Sequence, residues 1–426
     1  MSEKIHVLVL SDHPLSPSGV GTQTRYMIES LLNTGKFKFT CFGGAIKHQN
    51  YEPTRVSPLE GCTEWELGDW VIYPVDNYGS QEMIRSILRT QKPDIMWFMT
   101  DPRFWGWLWE IEDEIRPNVP MVYYHVWDNY PYPHYNKNSY LSNDLIVTIS
   151  KVTSDIVQTV APEVSEYYLP HAVNPDVFRK LEPEVVEEFK KEHYSNQHDD
   201  KFTFFWNSRN ARRKLSGSVI YWFKDFLDRV GHDKARLLMH TDVRDPHGQD
   251  LIAIIESLDL VNGEVVFSQK KIPPEILSLM YNITDCTISV SDAEGFGLSN
   301  LEALSCEKPI IVTMTGGMQE QVTDGKEWFG IGLEPASKAI IGSLDVPYIY
   351  EDRVSGKDVT DAMENMFNMS QEEREELGRK GRAHVLKNYN FEEYGKKWAD
   401  LLTKVYEEEG SWKTRKNYKA WELTEV

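Results

Sequence analysis

Glu294 and Glu302 stand eight residues apart, with Gly295 and Gly297 between them, in the run Glu294-Gly-Phe-Gly-Leu-Ser-Asn-Leu-Glu302. A strand-like run, Cys286-Thr-Ile-Ser-Val290, ends just before it, and a helix-like run over 298–306 begins inside it. A strand, a Gly-rich turn and a helix N-terminus make an anion site, because free backbone N–H groups and the positive helix end point at the ligand. The two carboxylates cannot bind phosphate and are suited to accepting hydrogen bonds from hydroxyls. Phosphate-binding amides beside hydroxyl-binding carboxylates fit a nucleotide sugar.

Other candidate groups follow strand-like runs. Ser208-Arg209-Asn-Ala-Arg-Arg-Lys214 follows a strand at 202–206. Arg209 offers a planar fork and Lys214 a point charge, and two cations at such a turn can neutralise a diphosphate leaving group. Arg212 and Arg213 fit a solvated basic turn. Gly19 and Gly21 lie in Asp12-His-Pro-Leu-Ser-Pro-Ser-Gly19-Val-Gly21-Thr-Gln, between the first strand and a helix. Thr24 takes the third glycine's place of a G-x-G-x-x-G loop, so a dinucleotide site is not indicated. His125, Asp101 and Asp128 stand at strand ends on one side of the first half. Tyr130 and Tyr132 lie in a Pro-containing loop and could stack an acceptor.

The block from Glu294 onward continues as Lys308-Pro-Ile-Ile-Val312, Thr315-Gly-Gly-Met-Gln-Glu320 and Asp324-Gly325. In this order it resembles the E-x7-E motif, the "G-x-P-V-V" strand and the "G-G-x-x-E" loop of retaining GT-B glycosyltransferases of the family-four type (glycosyl transferases group 1). The resemblance implies that Glu302 binds the donor ribose and that Glu294 lies near the donor sugar. It implies that the amides of Gly295, Phe296, Gly297 and Leu298 face sugar and phosphate. Arg209 and Lys214 match the "G-R-L-x-x-x-K" element, with Ser208 and Leu215 where glycines are usual. Gly19 and Gly21 match the N-terminal glycine loop, His125 a strand-end histidine that contacts the donor sugar, and Ser268 the base-flanking loop. His240-Thr-Asp242 departs from the usual "G-x-G" turn. The acceptor would meet Asp101, Asp128, Tyr130 and Tyr132.

Positioning these groups requires alternating strands and helices. Strand signals at 5–10, 37–42, 94–99, 121–125 and 144–150 alternate with helix signals at 22–33, 80–89 and 104–115. A second series has strands at 202–206, 235–240, 264–267, 286–290 and 309–313. Such alternation predicts doubly wound parallel sheets, whose ligands bind at the carboxyl ends of strands. The fold class is α/β, and the resemblance makes it GT-B: two Rossmann-like domains facing across a cleft. The expected units are an acceptor-binding domain over 1–175 and a nucleotide-sugar domain over 195–390. The segment 391–426 packs back on the first. Tyr394, Trp398, Leu401, Leu402 and Val405 give its helix one buried face.

Composition narrows the function. A chain of 426 residues suits two domains, and 41% hydrophobic with 26% charged residues describes a soluble globular protein. No apolar run reaches the length of a membrane span, and the N-terminus lacks a signal-peptide pattern. The four cysteines form no C-x-x-C pair, so a reducing cytoplasm is expected. No D-x-D element suited to holding a metal stands out, so no metal or other cofactor is expected, and a UDP- or GDP-sugar serves as donor. A net charge of -20 disfavours a nucleic-acid acceptor.

The expected reaction is transfer of a hexose or pentose to a hydroxyl acceptor (a glycan, a lipid-linked acceptor or a small molecule). Three alternatives stay open: a phage-type transferase acting on hydroxymethylated bases in DNA, a nucleotide-sugar epimerase, and a non-catalytic sugar-nucleotide module.

Overall fold

A computed structural model describes residues 4–127, 129–193 and 201–418. Its strands are β1 (Ile5–Asp12), β2 (Phe37–Gly44), β3 (Thr54–Arg55), β4 (Trp70–Pro74), β5 (Ile95–Thr100), β6 (Met121–His125), β7 (Leu145–Thr148) and β8 (Ser165–Tyr168). They continue as β9 (Phe202–Asn207), β10 (Ala235–His240), β11 (Val265–Ser268), β12 (Cys286–Ser289), β13 (Ile310–Thr313), β14 (Gly330–Leu333), β15 (Ser337–Ile341) and β16 (Ile349–Arg353). β5, β6, β7 and β13 are buried along their whole length. Continuous burial means cover on both faces, as helices give a parallel sheet.

The first sheet has the order β3-β4-β2-β1-β5-β6-β7-β8 and the second β11-β10-β9-β12-β13-β14. All pairs are parallel except β3 with β4. Val7 faces Phe39 on one side and Ile95 on the other, so β1 is central in the first sheet. β9 is placed likewise in the second, between β10 and β12.

Five helices position the site: α1 (Gly19–Leu32), α2 (Lys151–Val160), α3 (Ser216–Val230), α4 (Leu298–Ser305) and α5 (Phe391–Glu409). The ten strands expected from sequence are present, each end within two residues of its expected place. The helix expected at 104–115 is not continuous. It breaks into short turns at Pro102–Phe104, Gly106–Trp109 and Glu112–Ile115. Burial of Trp105 against Phe98 and Tyr78 outweighs helical continuity there. α1 begins at Gly19 rather than at 22, because the Ser18 side chain accepts from Gly21 N and caps the helix earlier.

α5 crosses back to the first sheet along its expected face. Tyr394, Trp398, Leu401, Leu402 and Val405 are buried. Tyr394 donates to Gln23 O on α1, and Phe391 packs edge-on against Tyr26. Gly395 lets the helices meet, since a Cβ there would lie 2.5 Å from Ser30. After the helix, Trp412 donates to Pro93 O and Arg415 pairs with Asp144, so the tail to 418 lies on the first half. Among the described residues no helix is long and apolar enough to cross a membrane.

Trp398 is fully buried against Trp97 and Tyr124. Replacing Trp398 by Ala is expected to cost about 3–5 kcal/mol, read as a lowered urea midpoint with unchanged m-value.

Candidate active site between the strand ends

In the second sheet the strand order reverses direction between β9 and β12. Such a reversal leaves a crevice at the carboxyl ends of the two strands. The end of β9 supplies the basic turn and the end of β12 supplies Glu294. The Lys214 ammonium pairs with the Glu294 carboxylate. Arg213 Nη1 lies 3.4 Å from the same carboxylate and donates to Ala293 O at 2.5 Å. Glu294 is largely buried, so these cations offset its desolvation. Leu215, where the resemblance predicts glycine, has φ 56°. The turn needs the left-handed conformation, which costs a non-glycine residue roughly 1–2 kcal/mol.

The reading of Arg212 and Arg213 as merely solvated needs correction, and Arg209 is held by a carboxylate other than Glu294. Arg209 forms a bidentate pair with Asp245, at 2.7 and 3.1 Å, after β10. Arg213, expected to be a solvated cation, joins Lys214 beside Glu294. Arg212, also expected to be solvated, pairs with Glu351 and lies 3.7 Å from Asp292. Both carboxylates come from distant sequence, so local spacing carries no signal for either contact.

The glycines of the run serve the turn. Gly297 has φ 93° and caps α4. Gly295 faces Val126 of the first half, 3.4 Å from where its Cβ would be. Gly317 passes directly beneath the run: a Cβ there would lie 2.7 Å from Gly295 O and 2.8 Å from Phe296 Cα. Phe296 is buried against the edge of His171. Asn300 is fully buried, and among the described residues neither of its amide atoms has a partner.

Glu302, in α4, accepts from Tyr281 Oη at 2.7 Å, and Tyr281 accepts from Asn207 at the end of β9. Burial pushes the Glu302 carboxyl up to about 7, opposed by the Tyr281 hydrogen bond. Gly19 meets the run from the first half, since its Cβ would lie 3.1 Å from Leu298 Cδ1. Gly21 is needed by its own turn: a Cβ would lie 2.6 Å from Ser16 Oγ. Both glycines lie in the first turn of α1 rather than in a loop before it. Ser268 ends the edge strand β11, bonded to His240 Nδ1 at 3.0 Å and two strands away from β9.

In the first half, Asp101 follows β5 and holds Arg103 through both carboxylate oxygens. Thr100 before it has φ 144°, a strained value for a β-branched residue. A cavity of about 260 Å³ joins Asp101, Arg103, Trp127 and Asn129 to Arg212, Arg213 and Ala293 of the second half. Sequence reading left Asn129 unnamed. A larger cavity, about 970 Å³, opens beside Thr203, Asp285 and Pro309, at the strand starts of the second sheet. That is the edge opposite the ligand edge.

Three first-half expectations change. His125 is fully buried, and its ring nitrogens bond Tyr123 Oη at 3.1 Å and Tyr140 Oη at 2.8 Å. Burial holds it neutral, lowered to about 3, and it is a buried histidine that does not line the cavity. Tyr130 and Tyr132 do not line the cavity; both hydroxyls donate to Asp155 of α2. Asp128 lies outside the described residues. Among the described residues no cluster of three or more His, Cys, Asp or Glu side chains is placed to hold a metal ion.

The approach at Gly317 sets the shape of the run carrying Glu294. Gly317→Ala is expected to destabilise the fold by about 1–3 kcal/mol through overpacking, seen as a lower melting temperature.

The glycosyl transferases group 1 pattern matches residues 233–345, which contain Glu294, Glu302 and Gly317. The D-inositol 3-phosphate glycosyltransferase of Acidothermus cellulolyticus is 33% identical over 100 residues, 23% of this chain and 22% of that protein. The alpha-monoglucosyldiacylglycerol synthase of Streptococcus pneumoniae is 28% identical over 170 residues, 39% of this chain and 37% of that protein. The chain therefore matches between about a fifth and two fifths of the length of these relatives. Sucrose-phosphate synthase from Thermosynechococcus elongatus superposes with a TM-score of 0.72 at 15% identity, over 95% of this chain and 100% of that one. Anabaena Alr3699/HepE in complex with UDP and glucose superposes with a TM-score of 0.66 at 14% identity, over 94% and 100%. At these identities the structural likeness establishes the fold, two facing α/β units of the GT-B type. Residues 233–345 thus carry the glycosyl transferases group 1 pattern within a chain that has the GT-B fold.

Proposed function

We propose that the chain is a retaining glycosyltransferase that moves a sugar from a nucleoside-diphosphate sugar to a hydroxyl acceptor. The observation that carries the reading is the cluster of Lys214 and Arg213 around Glu294, beside the glycine turn that opens α4. The cations stabilise the departing diphosphate electrostatically. The backbone N–H groups at the start of α4 add to that field. Glu302 accepts the donor ribose hydroxyls, and Glu294 holds the donor sugar or stabilises positive charge at its anomeric carbon. The acceptor hydroxyl attacks from the face that the diphosphate leaves, and a diphosphate oxygen takes its proton. This requires no side-chain nucleophile. A product of inverted anomeric configuration, seen by NMR, would sink this mechanism.

UDP-sugars are the first donors to test, because structural neighbours are described with UDP and glucose or with UDP-2-fluoro glucose. Across a panel of UDP-, GDP- and ADP-sugars, one donor is expected to give slow nucleoside-diphosphate release. Glu302→Ala should raise its KM roughly ten- to a hundredfold, matching loss of a charged hydrogen bond of about 1.5–3 kcal/mol. Silence across the panel, with no donor shifting the melting temperature, would refute the reading.

Acidity offers a second check. Glu302 is protonated below about 7, and accepting two ribose hydroxyls favours the ionised form. The donor KM is therefore expected to rise as pH falls through that value. Glu302→Gln should flatten the profile, and an unchanged profile would exclude Glu302 as the titrating group.

A further inference from the structure

After β14 the chain forms an antiparallel hairpin, β15 with β16, paired from Ser337↔Arg353 to Ile341↔Ile349. Its base is fixed to the ligand edge of the second sheet. Arg353 Nη1 donates to Asp292 Oδ2 at 2.7 Å, and Asp352 N donates to Asp292 O at 2.8 Å. Arg212 pairs with Glu351. The rest of the hairpin is fixed to the first half. Tyr350 N donates to Tyr130 O at 2.5 Å, and Asn129 Nδ2 donates to Tyr350 O at 2.5 Å. Val346 is buried within the apolar cluster of the first sheet, with Ile349 packed against it. The hairpin is thus a strap that crosses the cleft and is anchored on both sides.

The cavity between the halves lies against this strap. Ile341, Gly342, Ser343, Val346 and Ile349 form one wall of it. At about 260 Å³ it is smaller than the roughly 300–1,000 Å³ usual for drug-sized ligands. Its other lining mixes a carboxylate (Asp101), a guanidinium (Arg103), an amide (Asn129) and an indole (Trp127). That mixture suits a ring with hydroxyls at its rim and C–H groups on its face. Ala293 and Arg213 place the cavity next to Glu294. A duplex or a long glycan would have to displace the strap and break both sets of anchors.

Resting on the glycosyltransferase reading, we propose that the strap determines acceptor choice. The cavity beside it is the acceptor subsite, and it takes one compact polyhydroxyl ring, free or carrying a small substituent. The strap also keeps water from the donor sugar.

The test uses the full chain and whichever donor gives nucleotide release. Release without acceptor is measured first, so failure of the glycosyltransferase reading is seen separately: no release from any donor overturns that reading and the proposal with it. Free hexoses, pentoses and hexose phosphates are then compared with maltoheptaose and a DNA duplex. The single rings are expected to raise release, and the larger molecules are not. Val346→Asp places a charge where the strap enters the first half. It should raise acceptor-free hydrolysis at least fivefold. Val346→Ala keeps the wall apolar and should change hydrolysis the same way by less, which covers the case in which the aspartate variant fails to fold. Stimulation of the wild type by maltoheptaose or duplex overturns the proposal. So does hydrolysis that stays unchanged in a folded Val346 variant.

Discussion

A largely buried carboxylate, Glu294, must be kept charged at the end of a strand, and that requirement organises the second half of the molecule. Its counter-charges come from the turn after β9, eighty residues earlier for Lys214. They can reach it only because β9 and β12 are neighbours, with Phe204 opposite Cys286 and Phe205 opposite Thr287. The left-handed Leu215 finishes the basic turn and starts α3, so the cations and the helix are fixed by one backbone feature. On the other side, Gly317 lets the β13 loop pass under the run at a distance no side chain would permit. Sheet order, one strained leucine and one close glycine together hold a single ion pair.

The halves are joined by contacts that differ in kind. Glu320 reaches across from the second half and accepts from Lys151 N, the first residue of α2, at 2.8 Å. It also accepts from Tyr168 Oη at 2.8 Å. A carboxylate at a helix N-terminus is favourable, although burial raises its pKa. α5 adds an apolar seam through Trp398, and the strap adds one backbone hydrogen bond, one hydrogen bond from the Asn129 side chain, and Val346. The seam at α5 is buried, whereas the strap's tip, Leu344, is fully exposed. The strap is therefore buried at its anchors and open to solvent at its tip.

Much of this was legible in the sequence because it is local. The strands are short apolar runs bounded by turns, and the glycine run, the basic turn and the α5 stripe each occupy one continuous stretch. What could not be read is what long-range pairing decides. Trp70–Pro74 forms β4 because β2 offers it an edge, and the short run ending in proline carries little signal alone. β15 and β16 pair only with each other, and their role appears when Tyr350 meets Tyr130. His125 sits at a strand end, as a ligand-contacting histidine would. Burial keeps it neutral, and its ring nitrogens are bonded by Tyr123 and by Tyr140, fifteen residues on. Arg209 and Arg213 share one turn, yet Asp245, from the loop after β10, holds Arg209 while Glu294 meets Arg213.

The pairing of charges at the cleft bears on what can bind there. Lys214 and Arg213 face Glu294, Arg209 faces Asp245, Arg212 faces Glu351, Arg353 faces Asp292 and Arg103 faces Asp101. Cations already matched in this way offer no basic surplus to a polyanionic surface, and the chain as a whole carries a charge of -20. A polymer of phosphates gains affinity chiefly from unmatched lysines and arginines. A single diphosphate at the β9 turn is a different case. Under the proposed function it would meet Lys214, Arg213 and backbone amides, and by competing for the lysine it would free part of the Glu294 carboxylate to accept a sugar hydroxyl. On this reading the ion pair is a switch of partners, with the donor supplying the anion for the cations and the hydroxyl for the carboxylate. An acceptor that approaches beside it is best recognised by groups that both donate and accept, as Asp101 with Arg103 can.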